Sequence, residues 1–173
     1  MSTDRVHSAR ASKGRAMSET GQQPGGHSTH LGRSEMTALG RSLVTTRLTS
    51  IGCSVEPARS RVDGRLHATT PSHRSLEVFV STQRLGGYTF WTKRRLQPAP
   101  ERVAAIVLLS EAPTPALYVV PSTEWLHAAP PLTDRDNVGK KSEPEFGISL
   151  ARSWLPTLER YRWEVTALGT IFG

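Results

Sequence analysis

Apolar and polar positions change period several times along this chain, and each change marks an element. Between residues 36 and 51 the large apolar side chains are Met36, Leu39, Leu43, Leu48 and Ile51, with Val44 at the margin. That spacing gathers them into one stripe of a helix. Ser34 is placed to cap it, Glu35 suits its positive end, and Gly52 suits a left-handed stop. Gly40 and several threonines lower the intrinsic propensity, so this helix depends on packing. Beyond it the period falls to two. Residues 54–56 read as a short strand closed by Pro57. Val62, Leu66 and Ala68 read as a second strand ending in a turn at 71–73, with Asp63-Gly64 a bulge or tight turn.

The central stretch is 75–93. Leu76, Val78 and Val80 line one face of a strand, and Glu77, Phe79 and Ser81 the other. Gly86-Gly87 turns the chain, and Tyr88, Thr89, Phe90 and Trp91 return as an aromatic strand. Residues 103–109 are continuously apolar, as in a strand covered on both faces. Residues 117–120 return beside it as a hairpin. A short helix over 123–128 follows, with Ser122 as its cap and with Trp125 and Leu126 docking it on the sheet. Residues 129–147 read as loop. Residues 148–155 read as one or two helical turns, Pro156 restarts a second through 161, and Trp163 and Val165 close the core.

Composition adjusts this picture at both ends. Residues 1–33 are polar, rich in glycine, serine and histidine, and nearly free of large apolar side chains. Such a segment buries too little surface to offset ordering costs of roughly 1–2 kcal/mol per residue, which predicts a disordered basic tail. Residues 34–173 are then a single α/β domain. The formal net charge is +7. Five bases against two acids give the first 34 residues +3, so basicity is shared between tail and domain. A basic protein is attracted to polyanions, nucleic acid first. The one cysteine, Cys53, excludes an internal disulfide, and no cysteine–histidine set has zinc spacing. No apolar run approaches the ~20 residues of a membrane span, and the expectation is a cytoplasmic protein. Gly139-Lys140-Lys141-Ser142 lacks the upstream glycine of a phosphate-binding loop.

The order of landmarks carries a resemblance. A helix ending in Leu48, Gly52 and Val55 precedes the strand Phe79, Val80, Ser81 and Thr82. An apolar strand follows, then Tyr118 to Ser122 closing on Val120, Pro121 and Ser122, then a helix with Trp125. Over roughly residues 36–128 this resembles the PD-(D/E)XK, or restriction-endonuclease-like, superfamily, and in particular its small bacterial members of unknown function. The resemblance implies a mixed central β-sheet flanked by helices. It also implies magnesium-dependent phosphodiester hydrolysis, with strand acids binding the cation and a lysine orienting the attacking water. This chain departs from the pattern where the chemistry would sit. Ser81 stands at the lysine, Phe79 at the preceding acid or glutamine, and Arg65 at the strand acid, with Asp63 nearby.

Three expectations follow. The first is a catalytically degenerate nuclease fold, a pseudoenzyme, that binds DNA or a partner protein. Its nucleic-acid contacts would be Trp91, Lys93, Arg94 and Arg95, because rings stack on bases and cations meet phosphates. The second is an active endonuclease with migrated groups: Asp63 and Glu77 would hold Mg²⁺, and Lys93 would replace the missing lysine. The third is an interaction module without nucleic acid, its aromatic strand adding to a partner's sheet.

Overall fold

The computed structural model describes residues 31–57, 64–110 and 112–166. The predicted tail lies almost wholly outside them, as do Asp63 and the side chain of Val165. Helix α1 (Arg33–Ser50) leads into β1 (Ser54–Pro57), β2 (Arg65–Thr69), β3 (Ser75–Arg84), β4 (Tyr88–Thr92), β5 (Arg102–Leu109) and β6 (Ala116–Pro121). A 3-10 helix (Ser122–His127) precedes β7 (Leu132–Arg135) and β8 (Glu145–Ser149), and short helical turns over Arg152–Tyr161 and Trp163–Thr166 follow. The fold is mixed α/β, and no helix among the described residues is long and apolar enough to cross a membrane.

Five strands form a mixed sheet in the order β1-β2-β3-β5-β6. β1, β2 and β3 run as an antiparallel meander, β5 joins β3 in parallel, and β6 returns antiparallel to β5. A parallel neighbour requires a crossover, and here residues 85–101, carrying β4, supply it. The period-two reading of β3 holds on both faces. Leu76, Val78, Val103, Ala105, Val107, Leu117 and Val119 pack under α1. Phe79, Ala104, Ile106, Leu108, Tyr118 and Val120 face a second core with Trp91, Trp125, Phe146 and Ile148. β5 is buried on both sides, as its unbroken apolar run requires.

The aromatic strand does not pair with β3. β4 belongs to a separate three-stranded antiparallel sheet, β4-β8-β7. The Gly86-Gly87 turn lifts the chain off the larger sheet: the Gly86 N–H donates to Leu150 O, and the Leu150 N–H to Gly87 O. Lifted, Trp91 lies between the layers, edge-on to Trp125 at 6.1 Å between centroids. β7 and β8 fall inside the stretch read as loop, and β8 also takes the start of the expected helix at 148. Leu132, Phe146 and Ile148 provide their inward side chains.

Helix α1 begins one residue before Ser34. Gly32 is its N-cap, and the Gly32 N–H donates to Glu35 Oε2 at 2.7 Å. Its C-terminus follows the sequence reading. Gly52 sits at φ +85°, Gly52 N–H donates to Thr49 O and Cys53 N–H to Leu48 O, the paired bonds of a Schellman stop. Its buried line is Gly40, Val44 and Leu48, while Leu39 turns outward. The face is rotated because Gly40 lets the helix backbone close on β3. A Cβ there would lie 1.9 Å from Thr82 Oγ1.

Ser122 is the first residue of the 3-10 helix rather than its cap, which is Pro121. Its hydroxyl donates to Ala99 O and accepts from Ala99 N–H, tying the start of that helix to the segment entering β5.

Candidate functional site

The strand that would carry nuclease chemistry is β3, and its inward side chains are engaged in packing. Phe79 is 1% exposed, and the Arg65 guanidinium lies 5.9 Å from its ring centroid. Arg65 is the register partner of Phe79 on β2. Ser81 Oγ shares a hydrogen bond of 2.7 Å with Thr89 Oγ1 on β4 and accepts one of 3.1 Å from Gln83 Nε2. The bond to Thr89 joins the two sheets at the position where the resemblance places a lysine.

Glu77 belongs to a cross-strand row. Register aligns Glu56, His67, Glu77 and Arg102 over β1, β2, β3 and β5. Arg102 Nε donates to Glu77 Oε2 at 2.7 Å, and Arg65 Nη1 lies 3.9 Å from Glu77 Oε1. Opposite charges at such pairing sites stabilise a sheet. The donor set does not fit a hard cation at Glu77. Its carboxylate is shared by two guanidiniums, each of which would repel a divalent ion by several kcal/mol at ~4 Å. Among the described residues no group of three or more histidine, cysteine or acidic side chains gathers to hold a metal. Asp63 lies outside the described residues.

Lys93 follows β4 and is held elsewhere. Its Nζ lies 2.5 Å from Asp134 Oδ1 and 2.5 Å from Asp136 Oδ1, and 5.1 Å from the Phe146 ring centroid. Hydrogen bonds to Asp134 and then Asp136 hold its ammonium above the ordinary lysine pKa. The lysine thus fastens the end of β4 to β7 and the loop beyond. Arg94 and Arg95 are exposed, Arg94 with 81% of its side chain in solvent and 4.0 Å from Glu143. The same loop carries Lys140 and Lys141, both exposed, on a turn that Gly139 makes at φ +75°. Its base is tied back by Asn137 Nδ2 donating to Glu143 O and by Lys93 N–H donating to Pro144 O. Four cations therefore lie on two connected segments at one end of the smaller sheet. Trp91 is buried, and the exposed ring of this strand is Phe90, 54% accessible.

The outward face of the smaller sheet holds a group that the sequence does not announce. Tyr88 leans across Gly147, and its hydroxyl shares a 2.9 Å hydrogen bond with Thr133 Oγ1 and donates to Glu145 Oε1 at 3.3 Å. Arg135 lies 4.8 Å from the Tyr88 centroid and 3.2 Å from Glu145 Oε1. Burial, first, raises the Tyr88 pKa. The chain's other two tyrosines repeat the arrangement. Tyr118 meets Glu159 and Arg162; Tyr161 meets Glu124 and Arg160. The one local signal was alternation: Tyr88 and Phe90 share a strand face, and Thr89 and Trp91 the other. The Arg135 and Glu145 that meet Tyr88 come from strands more than 40 residues on, and no local pattern points to them.

Comparison of the chain with protein-family models, curated proteins and solved structures finds no match.

Proposed function

We propose that this chain is a restriction-endonuclease-like scaffold that binds nucleic acid without cutting it. The observation that carries this reading is the use of β3. Phe79 is core, Ser81 bridges two sheets, and Glu77 is clamped between Arg65 and Arg102. A meander whose third strand takes a parallel neighbour, with a helix across one face, supports the scaffold part of the reading. The binding part rests on Arg94, Arg95, Lys140 and Lys141, gathered at one end of the smaller sheet beside an exposed phenylalanine.

Fluorescence anisotropy with a labelled oligonucleotide tests it. Four phosphate contacts to a single strand give a slope of about −3 in log K against log salt. Replacing the four cations with alanine flattens that slope and weakens binding. Supercoiled plasmid incubated with Mg²⁺ or Mn²⁺ stays intact. Salt-independent binding that survives the four substitutions would remove the nucleic-acid reading. Nicking that disappears in Asp63→Ala or Glu77→Ala would establish the migrated-ligand endonuclease instead.

One observation favours a second reading. β4 lies at the edge of its sheet, with β8 on one flank and no described strand on the other. Its outer backbone groups, at Tyr88 and Phe90, suit addition of a partner protein's strand. Capture of a partner by the wild type but not by Phe90→Pro, with anisotropy showing no oligonucleotide bound, would select this reading.

A further inference from the structure

We infer that the outer face of the three-stranded sheet is a stacking platform for single-stranded nucleic acid, with Phe90 as its ring. The inference rests on the nucleic-acid reading above and adds the strandedness of the ligand. Phe90 points outward because strand alternation sends Thr89 and Trp91 inward. It is 54% exposed on a strand whose neighbouring tryptophan is buried. The strand beside it carries no side chain at the facing position. Gly147 is its register partner on β8, and a Cβ there would meet Tyr88 Oη at 1.8 Å. The missing side chain lets the Tyr88 ring lie across β8, fixed by Thr133, Glu145 and Arg135. The Tyr88 ring stacks beside Phe90, 6.2 Å between centroids and 24° from parallel, with Arg135 over it, which leaves Phe90 as the ring open to a base.

A flat aromatic face reaches a base only where that base is unpaired and can be splayed out. In a duplex the faces are stacked on their neighbours. The cations suit a backbone passing the end of this platform, since Arg94 and Arg95 follow β4 directly and Lys140 and Lys141 lie on the adjoining loop. Four acids lie nearby: Glu145 is paired with Arg135, Asp134 and Asp136 share Lys93, and Glu143 faces Arg94. Six cations on the same segments outnumber them, so this end of the sheet keeps a net positive charge toward a polyanion.

The test compares labelled single strands with the matched duplex, using wild type, Phe90→Ala, Phe90→Leu, Phe90→Trp, and Arg94→Ala with Arg95→Ala. Single strands bind more tightly than duplex. Phe90→Ala and Phe90→Leu each lose about tenfold on single strands, the scale of one stacked base, and Phe90→Trp retains affinity. Duplex bound as tightly as single strand overturns the platform. So does unchanged affinity in Phe90→Ala, in which case weakening by the arginine pair leaves the binding reading standing. Absence of all binding overturns both. Gel filtration at the same concentrations gives a monomer, and a dimer that Phe90→Ala dissolves would assign this face to a second copy of the chain.

Discussion

Gly40→Ala sets two opposing effects against each other at the contact between α1 and β3. Alanine is favoured over glycine inside a helix by about 1 kcal/mol. Here the new methyl would lie 1.9 Å from Thr82 Oγ1, 3.2 Å from Thr82 Cβ and 3.6 Å from Val80 Cγ1. Thr82 Oγ1 is buried without a hydrogen-bond partner, so rotating the hydroxyl away breaks nothing. The contact with Thr82 Cβ remains, because that atom is fixed to the strand. The helix must then move out by a few tenths of an ångström, loosening Val44 and Leu48 together. Overpacking of this kind costs about 1–3 kcal/mol. The expected net is a loss of about 0–2 kcal/mol, or up to roughly 8 °C in Tm for a domain of this size. Urea and thermal unfolding by circular dichroism read it out. In a Thr82→Gly background, which removes that Cβ, the same substitution becomes neutral or stabilising by up to about 1 kcal/mol, a coupling expected of contacting residues. A rise in Tm for Gly40→Ala alone would refute the close approach. So would an undiminished cost in the Thr82→Gly background.

Two further predictions concern the charged side chains. Glu77→Ala takes from Arg65 and Arg102 the carboxylate they share, and urea unfolding should show a loss of about 1–3 kcal/mol. Part of that loss returns at high salt, and Glu77→Gln costs less; a neutral Glu77→Ala would show that the clamp contributes nothing. The Tyr161 pKa is pushed up to about 12, first by burial and then by its hydrogen bond to Glu124. An unfolded tyrosine ionises near 10, so the stabilisation is fully present below about pH 10 and is lost as pH rises toward 12. Allowing for the solvent around Glu124 and Arg160, the loss is roughly 1–2 kcal/mol. Tyrosinate absorbance should rise later in native than in urea-unfolded protein, and coincident titrations would contradict the burial of Tyr161.

How much of this was legible in the sequence depends on how far each determinant lies along the chain. β3, β5 and β6 could be read because their own residues alternate, or are uniformly apolar, according to the faces they bury. Helix α1 was legible as an element, but its rotation was not. The centre of its buried face is a glycine, which carries no hydrophobic signal, and its meaning lies in Thr82 on another element. β8 was missed for a related reason. Its Glu145 is buried by Tyr88 and Arg135, and its Gly147 is empty so that Tyr88 can cross it, which makes the strand look like loop when read alone. The basic triplet after β4 reads as three free cations until Asp134 and Asp136 arrive, some 40 residues later, and take Lys93.

The departures of β3 from the pattern it resembles were legible in the sequence, but what those residues do was not. Phe79 fills the core under the second layer, and Ser81 holds Thr89 on the strand above. On the proposed reading, the positions that would carry the cation and the lysine are the contact points for an added sheet. An acid at position 79 would place a charge in a core that is 1% accessible, beside a ring-lined interior offering it only Arg65. A lysine at position 81 would break the bond that seats β4. On that reading, placing an acid at 79 and a lysine at 81 would unseat the sheet that carries Phe90, Arg94 and Arg95, so a cation site at these two positions and the proposed binding surface compete for the same strand.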